Sequence, residues 1–219
     1  MTLFSTIYSF LEIIGTIAFA VSGTVIGINH RLDIFGILTM SAVTAVGGGI
    51  IRDVCLGVIP PSSLKSPDYI IISAIASILT MIIALLTRKR RDSLSILKIS
   101  QLYNFILVLS DAIGLGIFTV VGINSGIDKG FNHNLFFIVF LGVVTGVGGG
   151  MIRDVIANQV PMIFRENIYA VSCIIGGTLY VVLFPYLNHS LNMLLAILII
   201  VTIRLISEKM KINLPRIKK

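Results

Sequence analysis

Charged residues are scarce in this 219-residue sequence. Asp, Glu, Lys and Arg make up 12% of it, whereas hydrophobic residues make up 56%. An ordinary soluble domain carries about 25% charged residues, so water is a poor solvent for most of this chain. Little of the length is left for a soluble domain, and one helical bundle in a membrane would use nearly all of it.

Cysteine and histidine are scarce as well. Two cysteines, Cys55 and Cys173, cannot build a disulfide framework, and each lies in an apolar stretch. The three histidines are scattered in connecting segments, which argues against a metal cluster. The sequence also lacks a Ser-His-Asp placement and a phosphate-binding loop. We therefore expect no enzymatic activity, no cofactor and no resident metal, apart from a permeating cation.

Two further signals are missing. Residues 1–10 contain no Lys or Arg, so they lack the charged start of a cleaved signal peptide, and the first apolar stretch is expected to remain as a membrane helix. The formal charge is +7, but the basic residues cluster between and after apolar stretches. Because no nucleic-acid-binding motif accompanies them, we expect no nucleic-acid partner.

What the sequence does contain is a series of long apolar stretches. A helix needs roughly 20 apolar residues to cross the hydrocarbon core, and seven stretches reach or approach that length. We predict an all-α polytopic membrane protein with spans at 6–29, 33–59, 67–87, 101–124, 134–160, 166–184 and 191–207. Residues 1–210 are predicted to form a single transmembrane domain, and residues 211–219 a basic cytoplasmic tail.

An internal repeat relates these spans. Residues 43–54 read VTAVGGGIIRDV and residues 144–155 read VTGVGGGMIRDV, identical at ten of twelve positions and offset by 101. At an offset of 99, Glu12, Gly15, Phe19 and Gly23 match Asp111, Gly114, Phe118 and Gly122. Repeat one (6–87) and repeat two (101–184) each hold three spans, so the second must enter from the opposite side. The result is an inverted 3+3 repeat with an extra C-terminal helix.

The distribution of Lys and Arg predicts the orientation, because these residues favour the cytoplasmic side. With the N-terminus outside, 13 of the 17 lie in cytoplasmic segments, including the run Arg88–Arg91 and Arg204. Lys65 and Lys129 lie outside, and Arg52 and Arg153 lie within spans. We predict an N-out, C-in protein of a prokaryotic plasma (inner) membrane, in contact with membrane lipids.

The glycine runs lie within the second and fifth spans. Small residues allow close helix packing, but that preference asks for spacing along one face rather than three in a row. A run also lowers helix propensity by about 1 kcal/mol per residue. We therefore favour a kink or break that lines a polar path, formed by Gly47, Gly48, Gly49, Gly148, Gly149 and Gly150.

Charged residues inside the spans need partners or water, because a charge at the helix centre costs about 2.5–3.5 kcal/mol. Adjacent helical residues point about 100° apart, so Arg and Asp of one motif need not satisfy each other. We predict pairs between Glu12 and Arg52 and between Asp111 and Arg153. Asp53 and Asp154, left over, would face a cation path. The alternative is that all are ion pairs holding the bundle together.

Two bulky residues, Phe19 and Phe118, lie on helix faces whose neighbouring positions are glycines. Ordinary core packing is the simpler interpretation of both. The sharper hypothesis is a pair of hydrophobic constrictions that gate by dewetting.

Two GGGxxRD motifs on the second and fifth of seven spans resemble those of the bacterial and archaeal relatives of trimeric intracellular cation (TRIC) channels. That family is also described as a glycine-transporter or UPF-type membrane family. The resemblance covers nearly the whole chain. It implies a homotrimer with an ion path in each protomer, around which the glycine motifs kink the second and fifth helices.

Two functions follow from the resemblance and the architecture. One is a monovalent-cation channel for K⁺, with Na⁺ as a second ion, in which freed carbonyls and acidic side chains replace part of the ion's hydration. The other is a secondary transporter for a small amino acid such as glycine, in which Arg52 or Arg153 binds the carboxylate.

Overall fold

The computed structural model describes residues 3–88, 95–165 and 168–210, and every regular element within these ranges is a helix. Six helices are long and apolar enough to cross a membrane, and a seventh apolar helix, α8, is shorter. The helices are α1 (Leu3–Asn29), α2 (Ile34–Cys55), α3 (Ser62–Lys65), α4 (Asp68–Arg88), α5 (Ser95–Asp128), α6 (Leu135–Ile156), α7 (Met162–Arg165), α8 (Tyr169–Leu183) and α9 (His189–Met210).

The long helices coincide with the predicted spans, with differences at their ends. Helix α5 has 34 residues and extends beyond the predicted 101–124 at both ends. Helix α8 has 15 residues, which at 1.5 Å per residue is about 22 Å, less than a hydrocarbon core of about 30 Å. The predicted start of the sixth span at 166, residues 89–91 of the basic run and the tail 211–219 lie outside the described residues.

Helices α2 and α6 end four residues earlier than the predicted 59 and 160. The backbone leaves each of these helices through a residue in the left-handed region, Gly57 (φ 69°) after α2 and Asn158 (φ 54°) after α6. The next amide closes the end, since Val58 N–H donates to the Asp53 carbonyl (2.8 Å) and Gln159 N–H to the Asp154 carbonyl (3.0 Å). This is a helix C-cap geometry that glycine and asparagine favour.

Helices α1 and α5 form the centre of the bundle. They pack on each other, α2 and α6 pack on them and against one another, and α4, α8 and α9 lie further out. Helix α4 is the most exposed of the long helices, with an outward face of isoleucine and leucine that includes Ile75, Leu79 and Ile83. Such a face is stable against lipid, and the helix satisfies its own backbone groups there.

Candidate functional site

The two Arg-Asp pairs lie in the last turns of α2 and α6. Arg52 Nε and Nη2 both lie 2.8 Å from Asp53 Oδ1, and Arg153 Nε and Nη2 both lie 2.8 Å from Asp154 Oδ1. The prediction that neighbours in sequence need not satisfy each other is therefore wrong here. The long arginine side chain reaches the carboxylate of the next residue in spite of the angle between adjacent positions.

The aspartates are not left over after pairing. Asp53 Oδ2 accepts the Ser62 N–H (2.7 Å), and Asp154 Oδ2 accepts the Met162 N–H (2.9 Å). Each carboxylate thus ties the end of a long helix to the start of the short helix that follows. Asp53 is 3% exposed and Asp154 is 1% exposed, so both are occupied in holding chain turns.

Asp111 and Arg153 meet in a closed polar cluster between α5 and α6. Arg153 Nη1 lies 2.6 Å from Asp111 Oδ1, and both side chains are 0% exposed. Ser22 of α1 accepts a hydrogen bond from the same Nη1 and lies 3.5 Å from Asp111 Oδ1. The ring of Tyr169 is covered by the Arg204 guanidinium at 5.0 Å. The predicted Asp111–Arg153 pair is therefore present, and it is sealed from solvent.

The matching end of repeat one is arranged differently. Glu12 Oε2 accepts a hydrogen bond from the Tyr69 hydroxyl at 2.9 Å, whereas Arg52 is bound to Asp53. Across the described residues no ion pair joins Glu12 to Arg52, so the predicted pair is wrong. Arg52 has turned toward its own helix end and left the carboxylate to a tyrosine from α4.

A cavity of about 280 Å³ opens where these two side chains part. Glu12 and Arg52 both line it, together with the hydroxyl-bearing Tyr8, Thr16, Ser62, Ser63, Tyr69 and Ser125, and with Ala45, Val46, Gly49 and Phe118. The Arg52 side chain is 11% exposed, against 0% for Arg153. One repeat therefore presents a polar cavity where the other presents a closed cluster.

The glycine runs do not break their helices. Helices α2 and α6 are continuous through them, so a break is wrong, whereas a kink within a continuous helix stays a prediction. A Cβ on Gly48 would collide with the Thr145 carbonyl oxygen, and one on Gly149 with the Thr44 carbonyl oxygen. The middle glycines let two helix backbones touch where α2 crosses α6, which is the packing role that small residues serve in membranes.

The other glycines of the runs have separate surroundings. A Cβ on Gly47 would meet Ile152 at 3.0 Å, and one on Gly148 would meet Ile51 at 3.0 Å. Gly150 faces the closed cluster, where a Cβ would lie 3.0 Å from the Tyr169 hydroxyl. Gly49 faces the cavity, and the nearest atom to its Cβ would be Arg52 Nη2 at 3.9 Å.

Phe19 and Phe118 stack on each other at the centre of the bundle, with ring centroids 5.3 Å apart and an interplanar angle of 18°. Each ring lies against a glycine of the opposite repeat, Phe19 on Gly114 and Phe118 on Gly15. Phe118 also lines the polar cavity, whereas Phe19 is 1% exposed. Of the two stacked rings, Phe118 therefore forms part of the cavity wall, and Phe19 lies behind it.

Comparison with known proteins agrees with this architecture. A family model described as "Glycine transporter" matches residues 9–85 and 108–185, one segment in each half of the chain. The chain belongs to this family. Its members include the UPF0126 inner membrane protein YadS of Escherichia coli K12, which is 37% identical over 94% of this chain and 93% of its own length. The UPF0126 membrane protein YvgT of Bacillus subtilis is 32% identical over 95% of each chain.

Solved structures connect the UPF0126 family with TRIC channels. A prokaryotic TRIC channel crystallised in 0.5 M KCl superposes with a TM-score of 0.83 at 34% identity, covering 96% of this chain and all of its own. The TRIC orthologue from Rhodobacter sphaeroides has a TM-score of 0.82 at 25% identity, with 94% and 100% coverage. The TRIC and UPF0126 proteins are thus one family, and this chain is a membrane-embedded bacterial member of it.

Several residues of the site were missed by sequence reasoning in this UPF0126 chain. Tyr69 binds Glu12 in repeat one, and Tyr169 lies under Arg204 at the corresponding place in repeat two. Their offset of 100 lies between the offsets of 99 and 101 that reveal the repeat. Arg204 was assigned to the cytoplasmic side, although it lies in an apolar span and is 1% exposed. An arginine within a membrane span signals a buried partner, and here that signal was available.

Proposed function

We propose that the chain is a homotrimeric monovalent-cation channel, with K⁺ as the favoured ion and Na⁺ as a second. Each protomer holds its own pore between two inverted repeats of three helices, and α9 is the extra helix. The protein lies in the inner membrane with its N-terminus outside and its C-terminus in the cytoplasm. The names of the similar structures support cation conduction, and the name of the Rhodobacter sphaeroides orthologue supports the trimer.

The single observation that carries the proposal is the cavity around Glu12. It is lined by one carboxylate and several hydroxyl groups, the oxygen ligands that replace water around a permeating cation. Arg52 also lines it, but its charge is paired with Asp53. In the proposed orientation this cavity is the outer entrance. Glu12 is the residue that attracts the cation, because Asp53 and Asp154 are tied to backbone amides.

The rest of the path is closed. Beyond the cavity lie the stacked rings of Phe118 and Phe19, which serve as a hydrophobic constriction. Beyond them lies the cluster of Arg153, Asp111 and Ser22, which in the proposed orientation closes the cytoplasmic end. The side chains of Arg153 and Asp111 are fully buried and leave no room for a cation to pass, so conduction requires this cluster to move.

Glycine contributes to the path in two ways. Gly48 and Gly149 bring α2 and α6 into backbone contact and so fix the crossing that separates the two ends. Gly47 and Gly148 pack against isoleucines nearby. Gly49 keeps the wall of the outer cavity free of a side chain, and Gly150 does the same for the closed cluster.

Single-channel recording tests the proposal. The purified full-length protein, reconstituted into planar bilayers with KCl on both sides, is expected to give discrete K⁺ currents that disappear when K⁺ is replaced by a large organic cation. Glu12→Gln is expected to lower the K⁺ conductance. Absence of discrete currents, together with saturable glycine uptake into vesicles, would overturn the channel assignment.

A second candidate, transport of a small zwitterionic amino acid, is favoured by one specific observation. Glu12 and Arg52 line the same cavity without pairing with each other. One could bind an ammonium group and the other a carboxylate. Arg153 is not available for that role, because it is 0% exposed and bound to two aspartates.

The Arg52→Gln variant separates the two functions. An amino-acid transporter would lose glycine uptake, because the carboxylate would lose its partner. A cation channel would keep its K⁺ currents, because removal of a positive charge from the entrance does not hinder a cation. Tracer uptake of glycine and K⁺ into the same vesicles, with wild-type protein alongside, measures both.

A further inference from the structure

A second and larger cavity lies at the opposite end of α1 from the Glu12 cavity. It is a groove of about 540 Å³ between the end of α1, the start of α2 and the end of α4. This volume is within the range of about 300–1,000 Å³ that is typical of ligand sites. Its lining residues are Ile28, Arg31, Leu32, Ile34, Ile37, Met81, Ala84 and Leu85. The groove is therefore apolar with one charge, that of Arg31.

Arg31 occupies a backbone position that does not suit arginine. Its φ is +56°, in the left-handed region that residues with a Cβ adopt at a cost. The turn is a helix C-cap, in which Arg31 N–H donates to the Ile28 carbonyl (3.1 Å) and Leu32 N–H to the Gly27 carbonyl (3.0 Å). Glycine is the usual residue at this place.

Repeat two shows the same turn with the usual residue. At an offset of 99, Gly130 has φ +84°, and its N–H donates to the Ile127 carbonyl at 2.9 Å. The fold thus accepts glycine at this turn, and repeat one carries a strained arginine instead. Across the described residues the Arg31 side chain makes no ion pair. Backbone strain retained at one copy of a repeated turn points to a use for the side chain.

The surroundings place Arg31 at the boundary between hydrocarbon and water. Ile34 and Phe35, just beyond it, are 69% and 78% exposed, and Leu85 on the opposite wall is 66% exposed. In a chain embedded in a membrane, these side chains contact acyl chains. The charge at the end of the groove then lies at the depth of the lipid phosphates.

We propose that this groove binds one anionic phospholipid, with an acyl chain between α1, α2 and α4 and the phosphate on Arg31. Both parts of the ligand have a matching part in the groove, an apolar wall for the chain and a guanidinium for the phosphate. The site is separate from the Glu12 cavity and does not depend on whether the protein conducts cations.

Native mass spectrometry of the full-length protein tests the site, with phosphatidylglycerol and zwitterionic phosphatidylcholine as the probes. The wild type is expected to bind phosphatidylglycerol about fivefold more tightly, which corresponds to about 1 kcal/mol for one basic residue near the headgroups. Arg31→Gly is expected to abolish this preference. It should fold at least as well as wild type, because glycine suits the left-handed turn. Lys129→Gln removes a charge from the corresponding turn of repeat two, and this variant should still prefer phosphatidylglycerol.

A second pair of variants tests the apolar wall. Leu85 and Leu86 are 66% and 63% exposed, but only Leu85 is among the residues that line the groove. Leu85→Ser should weaken binding of both lipids, and Leu86→Ser should not. Equal binding of the two lipids by wild type, or an unchanged preference in Arg31→Gly, overturns the proposal. If Arg31→Gly and Leu85→Ser lose self-association while Lys129→Gln and Leu86→Ser keep it, the groove binds a second copy of the chain. That result would also overturn the lipid proposal.

Discussion

The closed cluster around Asp111 and Arg153 leads to a quantitative prediction about gating, which the variant Asp111→Asn tests. Asparagine keeps the shape of the side chain and removes its charge. Asp111 Oδ1 lies 2.6 Å from Arg153 Nη1, with both side chains fully buried. Breaking a buried pair from one side costs about 3–5 kcal/mol. Since Asp154 remains 2.8 Å from the same guanidinium, we take the low end, about 3 kcal/mol.

In the proposed channel that free energy belongs to the closed arrangement, because there conduction requires the cluster to move. Losing about 3 kcal/mol shifts the ratio of open to closed channels by roughly 100-fold. Single-channel recording in symmetrical KCl at fixed voltage measures the open probability, which should rise in Asp111→Asn with little change in unitary conductance.

Glu12→Gln is the matched control at the same place in the other repeat. Glu12 is bound by Tyr69 and not by an arginine, so its neutralisation should leave the open probability unchanged and lower the cation conductance. Thermal melting in detergent shows whether Asp111→Asn is still folded. An open probability within twofold of wild type in folded Asp111→Asn would refute the idea that this pair holds the path closed.

Two further predictions concern packing and the constriction. Gly48→Ala should lower the melting temperature by roughly 3–10 °C, because its Cβ meets a backbone carbonyl and overpacking costs about 1–3 kcal/mol. Gly49→Ala faces the open cavity and should not lower it, since alanine favours the helix; equal melting of the two variants would contradict the packing role. Phe118→Ala should raise the unitary K⁺ conductance because it widens the cavity, whereas Phe19→Ala removes a fully buried ring and should mainly reduce stability. Unchanged conductance in a folded Phe118→Ala protein would show that this ring does not constrict the path.

Much of the fold was predictable because membranes restrict the choices. Apolar stretches of about 20 residues predict helices, and the long helices lie where the stretches do. The Asp111–Arg153 pair followed from the cost of an intramembrane charge. The ends of α2 and α6 could not be predicted in this way, because apolar residues continue past them. Each turn depends instead on a residue in the left-handed conformation, Gly57 or Asn158.

The other errors share one cause, which is that a side chain's partner depends on distances that sequence does not contain. The motif predicts that Arg52 needs a carboxylate partner, but from the sequence alone either Asp53 or Glu12 could be that partner. Only the fold shows that Asp53 lies 2.8 Å away while Tyr69 reaches Glu12. The glycine run likewise predicts weak helix propensity, but close contact between α2 and α6 keeps both helices continuous.

The sequence by itself determined that this is a helical membrane protein with a repeated motif, because hydropathy and self-similarity are properties of the residue order. It could not determine that the two copies differ. The tertiary structure decided that one copy lines a cavity and the other forms a sealed cluster. The physical reason is that α4 brings a tyrosine to Glu12, whereas α1 and α9 bring Ser22 and Arg204 to the second copy, and those contacts join residues far apart in the chain.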